Sequence, residues 1–165
     1  MALSRVHDVL TQENWEGARL KKIVDGAISP YDAARFEIDG PDVWLHPRTA
    51  LALAMAFQEL ATNASKYGAL STDQGRVSVD WSVESADGCW LRLTWEEVGG
   101  PSVQEPKRRG FGTRLIERSL ARDLGGEVHI GFRPTGVVCT IATPLPDDSG
   151  SPLAVGNNPD GIIFG

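Results

Sequence analysis

The residues from Pro47 to Tyr67 most constrain what this chain can fold into. They form one alanine-rich run with Pro47 where a first helical residue belongs and Gly68 where a helix stops. Leu53, Phe57, Leu60 and Ala64 recur at helical spacing and define a buried stripe. The spacing predicts a helix over 47–67, closed by Gly68 in a left-handed cap. Glu59 and Asn63 are four apart and share one face, with Lys66 and Tyr67 a turn further on. A carboxylate and a carboxamide on a half-buried face need partners, because burying them bare is costly. A hydrated Mg²⁺ takes oxygen ligands, keeps several waters and suits both. The same pair also fits a solvent-facing Glu and Asn on an ordinary core helix.

Around this helix the pattern alternates between hairpins and helices. Residues 2–13 read as a short helix with Leu3, Val6, Val9 and Leu10 on its apolar side. A second helix is expected over 15–28, capped by Asn14, with Ala18, Leu20, Ile23, Val24 and Ala27 inward. Residues 35–38 read as a short strand, Asp39-Gly40-Pro41 as a turn, and 43–45 as the returning strand. Residues 69–75 read as a polar loop. Val77, Val79, Trp81 and Val83 alternate with Ser78, Asp80 and Ser82, which is a strand with one buried face. Asp87-Gly88 turns it into a second strand carrying Leu91, Leu93 and Trp95. A helix over 113–124 ends at Gly125-Gly126, and strands 128–132 and 137–143 pair around 133–136. This order predicts an α+β fold: a two-layer sandwich in which helices cover one face of a mixed, mostly antiparallel sheet. It divides the chain into a helical lead-in (1–14), one globular domain (15–146) and a tail rich in Asp, Gly, Pro and Asn (147–165).

At 165 residues the chain is long enough for one proper core. Its formal charge of −6 argues against a general nucleic-acid binder. Cys89 and Cys139 lack metal-ligand spacing and sit in strand-like runs, so they read as buried, reduced thiols in a cytosolic setting. No run approaches the roughly 18 apolar residues that a membrane span requires.

Two further stretches can carry chemistry. Glu97 sits just past a predicted strand and is followed by Gly99-Gly100. Glycines there let backbone approach a flat ligand, and a carboxylate beside them can accept from an exocyclic amine such as that of adenine. Acid-glycine turns at strand ends are also common without any ligand. Gly110-Phe111-Gly112-Thr113 opens a helix, whose free N–H groups and dipole suit phosphates. Lys107, Arg108 and Arg109 directly precede it, as a solvated charge run or as phosphate partners.

Taken in order, these stretches resemble the N, G1 and G2 boxes of the Bergerat ATP-binding fold, shared by histidine kinases, gyrase-type ATPases and heat-shock chaperones. The closer resemblance is to the HWE subgroup of bacterial sensor histidine kinases. It rests on Glu59-Leu60-Ala61-Thr62-Asn63-Ala64 with Lys66-Tyr67-Gly68-Ala69-Leu70, on Trp95-Glu96-Glu97 with Gly99-Gly100-Pro101, and on Gly110-Phe111-Gly112 with Leu115-Ile116-Glu117-Arg118. It extends over roughly residues 5–146. The resemblance implies an ATP:histidine phosphotransferase domain. Asn63 would ligate Mg²⁺, and Glu59 would be catalytic, orienting a metal-bound water or polarising the incoming histidine. Lys66 and Tyr67 would contact phosphate or ribose. Glu97 would read the adenine amine, Gly99 would make room for the base, and residues 101–109 would form a short lid. Gly110, Phe111, Gly112 and Thr113 would hold the phosphates, with Leu115 also in the nucleotide site. The implied partners are a phosphoacceptor hairpin and sensor domain of the same full-length protein, and a response-regulator receiver domain.

Two departures from the subgroup matter. Gln58 stands where its N-box histidine is expected, and Gln cannot titrate near neutral pH. The upstream hairpin bearing the acceptor histidine is not recognisable: His7-Asp8 resembles an acceptor site only superficially, on a helix too short for such a hairpin. The expectation is therefore the catalytic and ATP-binding part of a longer protein. The alternative is a module of the same fold with weakened catalysis.

Overall fold

The computed structural model describes residues 16–85, 87–102 and 116–146. In chain order, β1 (Ala18–Arg19) leads into α1 (Leu20–Ile28), and a 3-10 turn (Ala33–Arg35) into β2 (Phe36–Asp39). Next come β3 (Trp44–Leu45) and the long α2 (Pro47–Tyr67), followed by a 3-10 turn (Ala69–Ser71). The hairpin β4 (Arg76–Glu84) and β5 (Cys89–Val98) follows. A π-helical turn (Ile116–Leu120) passes into α3 (Ala121–Leu124), and β6 (Glu127–Arg133) and β7 (Gly136–Leu145) complete the described chain.

Five strands form one sheet in the order β2-β4-β5-β7-β6. β2 runs parallel to β4, and every other pair is antiparallel. Alternation decides the faces. Val77, Val79, Trp81, Leu91, Leu93, Trp95, Cys139 and Ile141 point to the helices and are buried. Asp80, Arg92 and Thr140 point the other way and are exposed. The sheet is thus covered on one side, giving the expected two-layer α+β sandwich. Trp95 sits at its centre: its ring lies 6.4 Å from Phe57 of α2 and 6.4 Å from Phe36 of β2. Such aromatic contacts add about 0.5–1.5 kcal/mol each beyond burial, and the Phe57 contact fixes α2 over the middle of the sheet.

The β4–β5 and β6–β7 hairpins match the alternation, and Asp87 (φ 52°) with Gly88 (φ 93°) makes the expected turn. Gly125 (φ 63°) ends α3 in a left-handed cap, its N–H and that of Gly126 bonding back to Arg122 and Ala121.

Four expectations change. The helix read over 15–28 begins only at Leu20, because Gly17 (φ 134°) and the β1–β3 ladder hold the preceding residues extended. Residues 43–45 do not return along β2. β3 pairs with β1, while β2 pairs with β4, some 40 residues away. Gly68 is not in a left-handed conformation (φ −114°, ψ −146°). Of the two cysteines Cys139 is buried, but Cys89 only partly. Burial, with the charge of Glu117 second, pushes the Cys139 thiol up to about 12. Among the described residues, no helix is long and apolar enough to cross a membrane. The expected helix over 2–13, most of the lid, the glycine turn at 110–113 and the tail lie outside the described residues.

Candidate functional site

The C-terminal end of α2 and the C-terminal end of β5 meet, and glycines make that possible. A Cβ on Gly68 would lie 2.1 Å from Glu97 Oε1, and one on Gly100 would lie 2.7 Å from the Ala69 Cα. A Cβ on Gly75 would strike the Ala69 carbonyl oxygen at 1.6 Å. The close approach that Gly68 and Gly100 permit is therefore between two segments of the chain itself, 68–75 and 97–100, while Gly75 lets the 69–75 loop close on itself.

Glu97 lies at the centre of this junction and is 3 % exposed. Its Oε2 accepts from the Trp95 indole N–H at 3.0 Å, and its Oε1 accepts from the Ala69 backbone N–H at 3.1 Å. Burial pushes the carboxyl above its ordinary value, and the two hydrogen bonds pull it back in part. Each carboxylate oxygen retains further acceptor capacity, so two internal bonds leave room for one from a ligand amine.

Along the same edge of α2, one helical turn apart, stand Glu59, Asn63 and Tyr67. Asn63 is half-buried, Glu59 and Lys66 are exposed, and Tyr67 is 73 % exposed. The helix interior at Phe57, Leu60, Ala61 and Ala64 is buried, so Asn63 lies at the rim between core and surface. Gln58 is half-buried, and its carbonyl accepts from the Thr62 hydroxyl at 2.8 Å. Gly99 (φ 78°) follows Val98 at the end of β5, beside Gln74. The structure thus brings the end of the Asn63-bearing helix against the Glu97–Gly100 turn. Gly110, Phe111, Gly112, Thr113 and Leu115 fall outside the described residues. Among the described residues no cluster of three or more His, Cys, Asp or Glu could cage a metal ion. The oxygen donors of Asn63 and Glu59 fit a Mg²⁺ that arrives on phosphates and keeps most of its waters.

One participant was not legible in the sequence. Arg35, at the end of the first 3-10 turn, donates to carbonyl oxygens of the 69–75 loop: Nη2 to Ala69 at 3.0 Å and to Thr72, Nε to Gly75 at 3.1 Å, Nη1 to Leu70 at 3.5 Å. Nothing local marks it, because its partners lie 34 to 40 residues away.

The fold is that of a histidine kinase catalytic domain. The chain superposes on the blue-light activated histidine kinase EL346 of Erythrobacter litoralis with a TM-score of 0.63 at 25% identity, covering 89% of this chain and 47% of that one. On the catalytic domain of histidine kinase ThkA the TM-score is 0.56 at 13% identity, covering 76% and 93%. Residues 1–42 match the family model described as HWE histidine kinase. The chain is 38% identical over 148 residues to a blue-light-activated histidine kinase of Brucella ovis, and 38% identical over 151 residues to that of Brucella anthropi. These matches cover 87% and 89% of this chain. With the fold, they make this chain similar to the HWE histidine kinases over most of its own length. It spans 30% of the length of the Brucella ovis relative.

Proposed function

We propose that this domain binds Mg·ATP and transfers the γ-phosphoryl group to a histidine on a separate helical hairpin of the full-length protein, for relay to an aspartate of a response-regulator receiver domain. The observation that carries the reading is the junction itself. Asn63 and Glu59 stand on the edge of the helix whose end is locked to Glu97 and Gly100. Donors for a metal-borne phosphate and a carboxylate for a base are thus built into one ridge. The cytosol is the setting in which such a relay runs.

In this reading Glu97 accepts from the adenine amine while Trp95 and Ala69 hold its orientation. Asn63 supplies an oxygen ligand to the metal, and Lys66 and Tyr67 meet phosphate or ribose. The bond from phosphorus to the β–γ bridging oxygen breaks as a bond to an imidazole nitrogen forms, and Glu59 polarises that imidazole. Mg²⁺, when bound with ATP, neutralises phosphate charge. Positioning and charge neutralisation dominate such transfers. Residues 101–109 act as the lid, and Gly110, Phe111, Gly112, Thr113 and Leu115 complete the phosphate end of the site.

The test is calorimetric titration of Mg·ATP into the parent, Asn63→Ala and Glu97→Ala. Weaker binding in both variants is expected, and an unchanged affinity in Asn63→Ala would sink the reading. A second reading, a nucleotide-binding or interaction module with weakened catalysis, is favoured by the non-titrating Gln58. Joining an acceptor hairpin to the chain and finding label on its histidine eliminates that alternative.

A further inference from the structure

Arg35 is the last residue before β2, and the register Phe36↔Val77 holds it beside the start of β4. Its Nη2 also reaches the Gly75 carbonyl at 3.0 Å, so the guanidinium fills a ring of carbonyls closed by Ala69, Leu70, Thr72 and Gly75. Only a planar fork of donors can serve that many acceptors at once; a lysine ammonium offers three donors from one point.

Ala69 is held at both ends. Its carbonyl accepts from Arg35 at 3.0 Å, and its N–H donates to Glu97 Oε1 at 3.1 Å. Glu97 Oε2 is in turn held by Trp95 at 3.0 Å. The carboxylate plane is thus set by two donors, one in the sheet and the other at the start of a loop that Arg35 braces together with Thr72, whose hydroxyl donates to the Gly99 carbonyl at 2.9 Å.

We infer that Arg35 is a positioning residue for base selection: through Ala69 it keeps the Glu97 carboxylate in the orientation that accepts from the 6-amine of adenine and repels the 6-carbonyl of guanine. The inference rests on the reading of Glu97 as the base-contacting group. A loosened Ala69 leaves the carboxylate held by Trp95 alone, free to rotate and to tolerate either base.

The experiment measures Kd for Mg·ATP and Mg·GTP with the parent, Arg35→Lys and Glu97→Gln, together with amide exchange at Ala69 without nucleotide. Arg35→Lys keeps the charge and is the variant chosen to retain the fold. The expected result is a fall of about tenfold in the ATP-over-GTP preference of Arg35→Lys, the size of one hydrogen bond's contribution, with faster exchange at Ala69 than in β5. Equal weakening of both nucleotides, or an unchanged preference with Ala69 still protected, overturns the inference. If Glu97→Gln keeps the preference, the base-reading role itself fails. If Glu97→Gln loses it and Arg35→Lys does not, only the role of Arg35 fails.

Discussion

Trp95 and Glu97 are two apart on β5, point to the same face, and are joined by an indole N–H donating to a buried carboxylate at 3.0 Å. Strand geometry places residues i and i+2 side by side. The Trp-x-Glu spacing in this chain is therefore a donor and its acceptor set at the one separation in which they can meet. Trp95 also packs on Phe57 and Phe36, so the group that orients the carboxylate is itself fixed by the core.

Trp95→Phe keeps a ring in that core but removes the donor. Its cost is expected at about 1–3 kcal/mol, from lost volume and an under-satisfied carboxylate. The indole bond favours the ionised form of Glu97. The cost should therefore be larger at pH 7 than at acid pH, where Glu97 is protonated. Urea denaturation at both pH values tests this, and a cost independent of pH would contradict it.

Glu97 also predicts a pH dependence of stability. Its folded pKa is raised above the ordinary 4.5 by burial. A group raised in this way contributes fully below its unfolded pKa, and that contribution is lost as the pH climbs through the folded value. The parent should lose stability relative to Glu97→Gln as the pH rises from about 4.5. Parallel denaturation profiles for the two proteins would show that the carboxyl is not raised.

Gly68→Ala forces a methyl group onto Glu97 Oε1, where the built Cβ lies at 2.1 Å. The backbone there lies outside the left-handed region, so the cost is steric, about 1–3 kcal/mol. Shortening the carboxylate should relieve it. The double variant Gly68→Ala with Glu97→Asp is expected to be more stable than the sum of the single losses predicts, and strict additivity in that cycle would refute the contact.

Thr143 is fully buried and donates from Oγ1 to the Leu124 carbonyl at 2.8 Å, tying the end of α3 to β7. Thr143→Val leaves that carbonyl without its hydroxyl partner, at an expected cost of about 1–3 kcal/mol. The urea midpoint should fall with the slope unchanged. A midpoint like that of the parent would mean that the tie adds nothing.

What the sequence disclosed follows from the range of the forces involved. β4, β5, β6 and β7 were legible because residues such as Val77, Val79 and Trp81 alternate within a single strand. α2 was legible because Pro47 and the Leu53–Ala64 stripe mark its start and its buried side. The β1–β3 ladder is only two residues long and leaves no periodicity. The parallel pairing of β2 with β4 depends on α2 crossing between them, so the local turn at Gly40 suggested the wrong partner. At the site, Glu59, Asn63 and Glu97 stood out by residue type and spacing. The need for glycine at position 68 did not, because the atom that excludes a side chain there belongs to Glu97, 29 residues on.

Cys139 lies on β7, an interior strand between β5 and β6, opposite Trp95 on one side and Ile130 on the other. Thiol reagents attack the thiolate, and a thiol pushed up to about 12 and closed off from solvent offers almost none. Modification at this position must therefore await separation of the helices from the sheet. The chain carries its own clock for the opening of its core, and the rate at which Cys139 takes up a label will count how often the two layers come apart.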